Sequence, residues 1–273
     1  GCRVGKGTLA AANRLHGWVK EVRRKPDYDS WYCLKLDISK FFYRVDHKVM
    51  LQMMKEICPE ADFLHLMDTI INNPDCPFGL PAGIKAHDCP VEDRLYDVGM
   101  PIGNLSSQMI ANLYLDPLDK FCKHVLGIHY YARYMDDMVI IADSLEYLKN
   151  LFKILSYKLS SIKLKIKNNY QFFTIAESPK AKGRAIDFMG FKFYMKKTVL
   201  RKSIMLKCSR KARRIAKEHK PRIYSIRQML SYYGWIKHTD VKEFTKSRID
   251  NIIDFRQYRN RMSIYDRRRI HAA

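Results

Sequence analysis

Long apolar runs are missing from this 273-residue sequence. A helix that crosses a membrane needs about 20 consecutive apolar residues, and no stretch of about 18 is present, nor is the pattern of a signal peptide. Paired cysteines are missing too. The seven, Cys2, Cys33, Cys58, Cys76, Cys89, Cys122 and Cys208, show no short paired spacing. Neither a zinc module nor a disulfide framework is signalled, and reduced thiols in a cytoplasmic compartment are expected. Cys76, His87 and Cys89 lie near one another, but without tight pairing they make a poor metal motif. Acidic residues are scarce: 28 Asp and Glu stand against 50 Lys and Arg, a net charge of +22. So large a charge repels itself and calls for a polyanionic partner. Nucleic acid is the first candidate, because each neutralised phosphate releases counterions; a membrane surface is the second.

What is present suits a globular protein of one or two domains, since 47% of the residues are hydrophobic and the length allows a sizeable core. The opening Gly1-Cys2-Arg3-Val4-Gly5-Lys6-Gly7-Thr8 lacks the Ser or Thr that a P-loop needs directly after Gly-Lys. It does not begin with Met, and a natural N-terminus is expected to be missing. Apolar spacing predicts helices over Thr8–Arg24, in two pieces over His47–Ile71 around Pro59, over Met109–Leu118 with Ser106 and Ser107 as caps, and over Ser144–Leu159. Residues 72–96 read as loops rich in Pro and Gly. Ile162–Lys167 alternates strictly, predicting a half-buried strand with lysines outward. Ile186–Tyr194 predicts a strand interrupted at Gly190. From Lys196 onward there are 23 Lys and Arg against 6 Asp and Glu. Helices are expected over Ser203–Lys220, Ser225–Lys237 and Val241–Phe255, then a disordered basic tail over Tyr265–His271.

The chemistry concentrates at Tyr130-Tyr131-Ala132-Arg133-Tyr134-Met135-Asp136-Asp137-Met138-Val139-Ile140-Ile141-Ala142. Two runs of aromatic and β-branched residues flank a pair of carboxylates. A plain hairpin turn would also accommodate Asp. Far upstream, however, Asp37 interrupts another apolar strand, Trp31–Phe42, where a charge needs a partner. Bringing Asp37, Asp136 and Asp137 together makes a cluster that is unfavourable until hard cations occupy it. Mg²⁺ takes one or two carboxylates plus waters and substrate phosphates, so the pattern points to two-metal phosphoryl transfer.

In this order, Leu36-Asp37-Ile38-Ser39-Lys40-Phe41-Phe42, Gly99-Met100-Pro101-Ile102-Gly103-Asn104-Leu105-Ser106-Ser107-Gln108 and Tyr134-Met135-Asp136-Asp137 resemble the first three palm motifs of reverse transcriptases. Ile186-Asp187-Phe188-Met189-Gly190-Phe191 is similar to the family's primer-grip turn, and Ser231–His238 to a thumb segment of retroelement enzymes. The resemblance covers roughly residues 1–240. It implies an α/β right-hand polymerase with an antiparallel palm sheet and a basic helical thumb. The implied division is partial fingers (1–26), palm (27–48), fingers and connecting segment (49–98), palm (99–195), and thumb with basic tail (196–273). It further implies two Mg²⁺ ions, with Mn²⁺ as a substitute, held by Asp37, Ile38, Asp136 and Asp137. Lys167 is the implied proton donor to pyrophosphate, within a repetitive stretch where neighbouring lysines compete for the role. Nucleotide contacts are carried over to Arg3, Lys6, Phe41, Phe42, Ile102, Gly103 and Gln108, with the Phe42 ring excluding a 2′-hydroxyl. Primer and template contacts fall on Tyr134, Met135, Met189, Gly190, Lys207, Arg210 and Arg214.

Many reverse transcriptases carry Gln where Ile102 stands. The Ile-Gly-Asn-x-x-Ser-Gln form resembles the enzymes of diversity-generating retroelements, which implies error-prone copying, above all opposite template adenine. Implied partners are a template RNA, a DNA primer, dNTPs and a basic accessory protein, with oligomerisation open. No nuclease domain is signalled after the thumb. Group II intron, retron and phage-defence enzymes share similar motifs, and a non-catalytic RNA-binding scaffold would suit the charge equally, although it has no need of three clustered carboxylates.

Overall fold

The computed structural model describes residues 5–72, 75–81 and 83–271, with the backbone alone for 269–271. The chain forms two compact units: Ser30–Thr174 with the residues up to Thr8, and Leu9–Asp29 with the chain from Ile175 onward. The first helix, α1 (Thr8–Val22), lies almost wholly within the second unit, and the last strand of the first unit ends at Thr174.

In the first unit, β1 (Tyr32–Asp37) is followed by α2 (Phe41–Arg44), α3 (His47–Lys55), α4 (Ala61–Ile71), α5 (Leu105–Tyr114) and α6 (Asp116–Lys120). Then come the hairpin β2 (Tyr131–Tyr134) and β3 (Asp137–Ala142), α7 (Leu145–Ser161) and β4 (Gln171–Thr174). The four strands form an antiparallel sheet in the order β2-β3-β1-β4. Because side chains alternate along a strand, Leu34, Leu36, Met138 and Ile140 share one face. They build a core there with Met50, Met54, Ile110, Tyr114, Leu148 and Leu155 from the helices. Lys35 and Asp37 of β1 and Asp137 of β3 belong to the other face by the same alternation.

Capping fixes the helices that support this core. Asp46 accepts from the Val49 amide at 3.0 Å to start α3 and from the Lys163 ammonium at 2.6 Å. Burial raises the Asp46 carboxyl, but these two bonds outweigh it and hold the group below its ordinary value. Ser144 caps α7 by accepting from the Tyr147 amide. Tyr114, fully buried, donates to the Ile162 carbonyl at 2.7 Å.

Several expectations need correction. The helix expected from Met109 begins at Leu105, so Ser106 and Ser107 lie inside its first turn and Asn104 holds the cap position. Residues 162–167 keep their alternating burial but form one isolated bridge, Ile38 to Ile166, in place of a strand. Lys163 takes a left-handed φ of 58°, which breaks the extended backbone before a ladder can form.

The second unit holds an antiparallel meander, β5 (Ile186–Phe188), β6 (Phe191–Phe193) and β7 (Thr198–Leu200). Here the expected single interrupted strand is a tight hairpin. Met189 and Gly190 both have positive φ, 53° and 84°, as a two-residue β-turn requires. Four helices follow: α8 (Lys202–Ala216), α9 (Ile223–Ile236), α10 (Lys242–Thr245) and α11 (Phe255–His271). Helix α8 stops at Ala216, short of Pro221. The helix expected over Val241–Phe255 is interrupted after a π-helical turn at Lys246–Asp250. The segment expected to be a disordered tail is the last part of α11, whose Tyr258 and Met262 are buried and whose Arg227–Asp266 pair ties it to α9.

Candidate active site

Register builds the site. In the β1–β3 ladder Asp37 stands directly opposite Asp137, and Asp136 occupies the two-residue turn that joins Tyr134 to Asp137. Three carboxylates are thereby delivered to one end of the sheet by backbone pairing alone. The turn is pinned to the neighbouring strand end, since the Ile38 amide donates to the Asp136 carbonyl at 3.1 Å. The Lys167 amide donates to the Asp37 carbonyl at 2.8 Å, bringing that lysine to the cluster.

The electrostatics are those of a site short of positive charge. Burial, then the nearby Asp37, raises the Asp136 carboxyl, with Lys167 acting against them. Burial pushes Asp137 up to about 6, aided by Asp37 and Asp136 and opposed by Lys35. Lys35 sits 3.4 Å from Asp137 Oδ2, while Asp137 Oδ1 is buried with no hydrogen-bond partner. Among the described residues, no three His, Cys, Asp or Glu side chains form a ready-made metal cage. Mg²⁺ does not need one, because it keeps waters and takes substrate phosphates as ligands. A partnerless buried carboxylate oxygen beside two more carboxylates fits a divalent cation on chemical grounds. Ile38 is 2% exposed and has no ligand atom in its side chain, so only its backbone carbonyl could join such a set.

A second group of expected residues gathers beside the sheet. Phe41 is buried, and Phe42 packs edge-on against it at 5.5 Å, half-buried. The Met100 amide donates to the Phe42 carbonyl at 2.8 Å, and the Gly99 amide to the Val45 carbonyl at 2.7 Å. His47 Nε2 lies 2.5 Å from the Gly99 carbonyl and Nδ1 2.5 Å from Asn72 Oδ1. These bonds anchor the loop that presents Ile102, which is 60% exposed. Gly103 follows with φ 105°, also exposed, and Gln108 lies half-buried on α5. Lys6 is exposed ahead of α1; Arg3 lies outside the described residues.

Of the remaining expected residues, Tyr134 ends β2 and Met135 stands in the carboxylate turn, both half-buried in the first unit; the others belong to the second unit. Lys207, Arg210 and Arg214 are exposed on α8. At Gly190, expected to let backbone approach a primer, the Trp235 ring packs close to the glycine. A Cβ at Gly190 would lie 2.3 Å from that ring and 2.8 Å from Ile204. Trp235 in turn stacks on Phe191 at 5.3 Å.

Two contributors escaped the sequence reading. One is Lys35, already described. The other is Arg133, whose side chain is 6% exposed in an ion pair with Asp119 of α6. The signal was available in both cases: a cation within an apolar strand demands a buried partner.

A family model described as reverse transcriptase (RNA-dependent DNA polymerase) matches residues 3–193, which contain the whole carboxylate site. The chain belongs to the reverse transcriptase family. No curated protein matches it. Among solved structures, apo telomerase from Candida tropicalis is similar with TM-score 0.55 and 13% identity, over 82% of this chain and 40% of that one. Telomerase from Candida albicans, in complex with a fragment of telomeric RNA, is similar with TM-score 0.53 and 11% identity, over 88% of this chain and 43% of that one. This reverse transcriptase family member therefore spans less than half of those chains, and at such identity the likeness is one of fold. Among its described residues no helix is long and apolar enough to cross a membrane.

Proposed function

We propose that the chain is an RNA-directed DNA polymerase of the diversity-generating type, working by two-metal nucleotidyl transfer. The observation that carries the chemistry is the in-register opposition of Asp37 and Asp137 with Asp136 in the adjoining turn. Asp37 and Asp136 would hold two Mg²⁺, with Mn²⁺ as a substitute, while Asp137, steadied by Lys35, supports them. Bound there, the ions would lower the pKa of the primer 3′-hydroxyl and neutralise charge on the pyrophosphate. The 3′-oxygen, its proton released to solvent water, attacks the α-phosphorus, the bond to the bridging oxygen breaks, and Lys167 gives a proton to the departing pyrophosphate. Phe42 lies against the nucleotide sugar and rejects a 2′-hydroxyl, and Arg3 and Lys6 meet the triphosphate. The primer–template duplex is held by Tyr134 and Met135, by the Met189-Gly190 turn, and by Lys207, Arg210 and Arg214 through phosphates without base readout. The five-segment right-hand division, a basic accessory protein and a structured template RNA belong to the same reading.

The subtype rests on Ile102. It is exposed on the loop beside Phe42 and cannot hydrogen-bond a nucleotide as Gln would. Primer extension on an RNA template containing all four bases, with sequencing of the products, tests it. Wild type is expected to misincorporate mainly opposite adenine, and Ile102→Gln to reduce those errors. Accurate copying by both would remove the diversity-generating reading and leave an intron-like or defence polymerase.

A further inference from the structure

The catalytic turn contains a strained residue with a dedicated restraint. Met135, directly before Asp136, has φ 54°, a left-handed conformation unfavourable for a side chain of this kind. Its carbonyl accepts from Arg133 Nη1 at 2.9 Å. The same guanidinium forks onto Asp119, Nε to Oδ1 at 2.8 Å and Nη2 to Oδ2 at 2.5 Å, and the Tyr131 hydroxyl donates to that Oδ1 at 2.6 Å. The Arg133 side chain is 6% exposed and Asp119 30%, so the guanidinium is held almost out of water while its partner is partly solvated. Such pairs gain little net stability, because desolvation offsets their attraction. What a planar fork does supply is fixed direction, which a lysine cannot reproduce.

We infer that Arg133, oriented by Asp119, is a positioning residue that holds the Met135 carbonyl and thereby sets where Asp136 stands. The inference rests on the polymerase reading of the three carboxylates. With the Ile38 amide gripping the Asp136 carbonyl at 3.1 Å on the other side, the turn is fixed at both of its residues. Releasing the Arg133 end lets Met135 relax and carries the Asp136 carboxylate away from the geometry that metal and nucleotide require. A displacement of this order costs chemistry more than it costs substrate affinity.

The test compares the full chain with Arg133→Lys, which keeps the charge on Asp119 but gives up the fork and the bond to Met135. Single-nucleotide incorporation on an RNA template is measured with thermal unfolding and with hydrogen–deuterium exchange of the 131–138 segment in metal-free protein. The variant is expected to lower kcat by about tenfold to a hundredfold and to leave KM for the nucleotide within about twofold. It should also need more Mg²⁺ for half-maximal rate and exchange faster at the turn. If the lysine variant unfolds, Asp119→Asn, which keeps shape and an acceptor for Tyr131, carries the same comparison. Wild-type kcat and exchange in a folded variant overturn the positioning role while the polymerase reading stands, as does a loss confined to KM. Unfolding of both variants assigns the pair to the fold alone and also overturns it. A wild-type protein that incorporates no nucleotide overturns the polymerase reading, and this inference with it.

Discussion

Asp37 faces Asp137 across the β1–β3 ladder, and like charges directly opposed in a sheet work against folding. The cost is on the scale of a cross-strand pair, roughly 0.2–1 kcal/mol. Without metal, Lys35 at Asp137 and Lys167 at Asp136 moderate this repulsion. Asp37→Asn is therefore expected to raise the unfolding midpoint of the metal-free protein by about 1–3 °C while removing nucleotide incorporation. Thermal unfolding in chelator, beside an incorporation assay, checks both. A lowered midpoint would mean that the Asp37 carboxylate has a stabilising partner stronger than its repulsion. Stability rising while activity falls is the signature of a residue kept for chemistry.

Two turns show how far an element's geometry limits its sequence. Gly190 has positive φ and its missing Cβ space is filled by the Trp235 ring, whereas Gly103 has positive φ and nothing within 4 Å of a Cβ. Gly190→Ala is expected to destabilise by about 2–5 kcal/mol, combining strain and overpacking. Gly103→Ala should cost only about 1 kcal/mol of strain. Denaturant titration of the two variants decides it, and equal effects would show that the Trp235 contact yields without cost. The same elements mark what was legible in advance. Hairpin β2–β3, β1 and helices α3, α4 and α7 were readable because their apolar periods match one face of one core. The β5–β6 hairpin was read as one strand because Met, unlike Asn or Asp, gives no turn signal at a positive φ. Residues 162–167 alternate as a strand does, yet Lys163 leaves the extended region, which no periodicity reveals. The carboxylates were legible as charges out of place in apolar strands. Arg133 and Lys35 carried the same signal, but their partners Asp119 and Asp137 are fixed by tertiary pairing, so no spacing along the chain discloses them.

For the whole molecule the dominant quantity is the charge of +22, of which the chain from Lys196 carries about 17. Binding of an RNA–DNA hybrid should weaken linearly in log[salt], with a slope near −0.9 for each phosphate neutralised. Replacing Lys207, Arg210 and Arg214 with Ala is expected to flatten that slope by about 2 to 3 and to weaken all sequences alike. Fluorescence anisotropy across a salt series measures it, and an unchanged slope would place the phosphate contacts elsewhere.

The most direct measurement is Mg²⁺-dependent extension of a DNA primer on an RNA template by wild type and Asp136→Asn, with hybrid affinity measured in parallel. The account predicts extension by wild type, none by the variant, and equal binding by both. Equal extension by the two proteins would contradict the assignment of the carboxylate turn as the catalytic centre, and binding without extension by either would leave a nucleic-acid scaffold in its place.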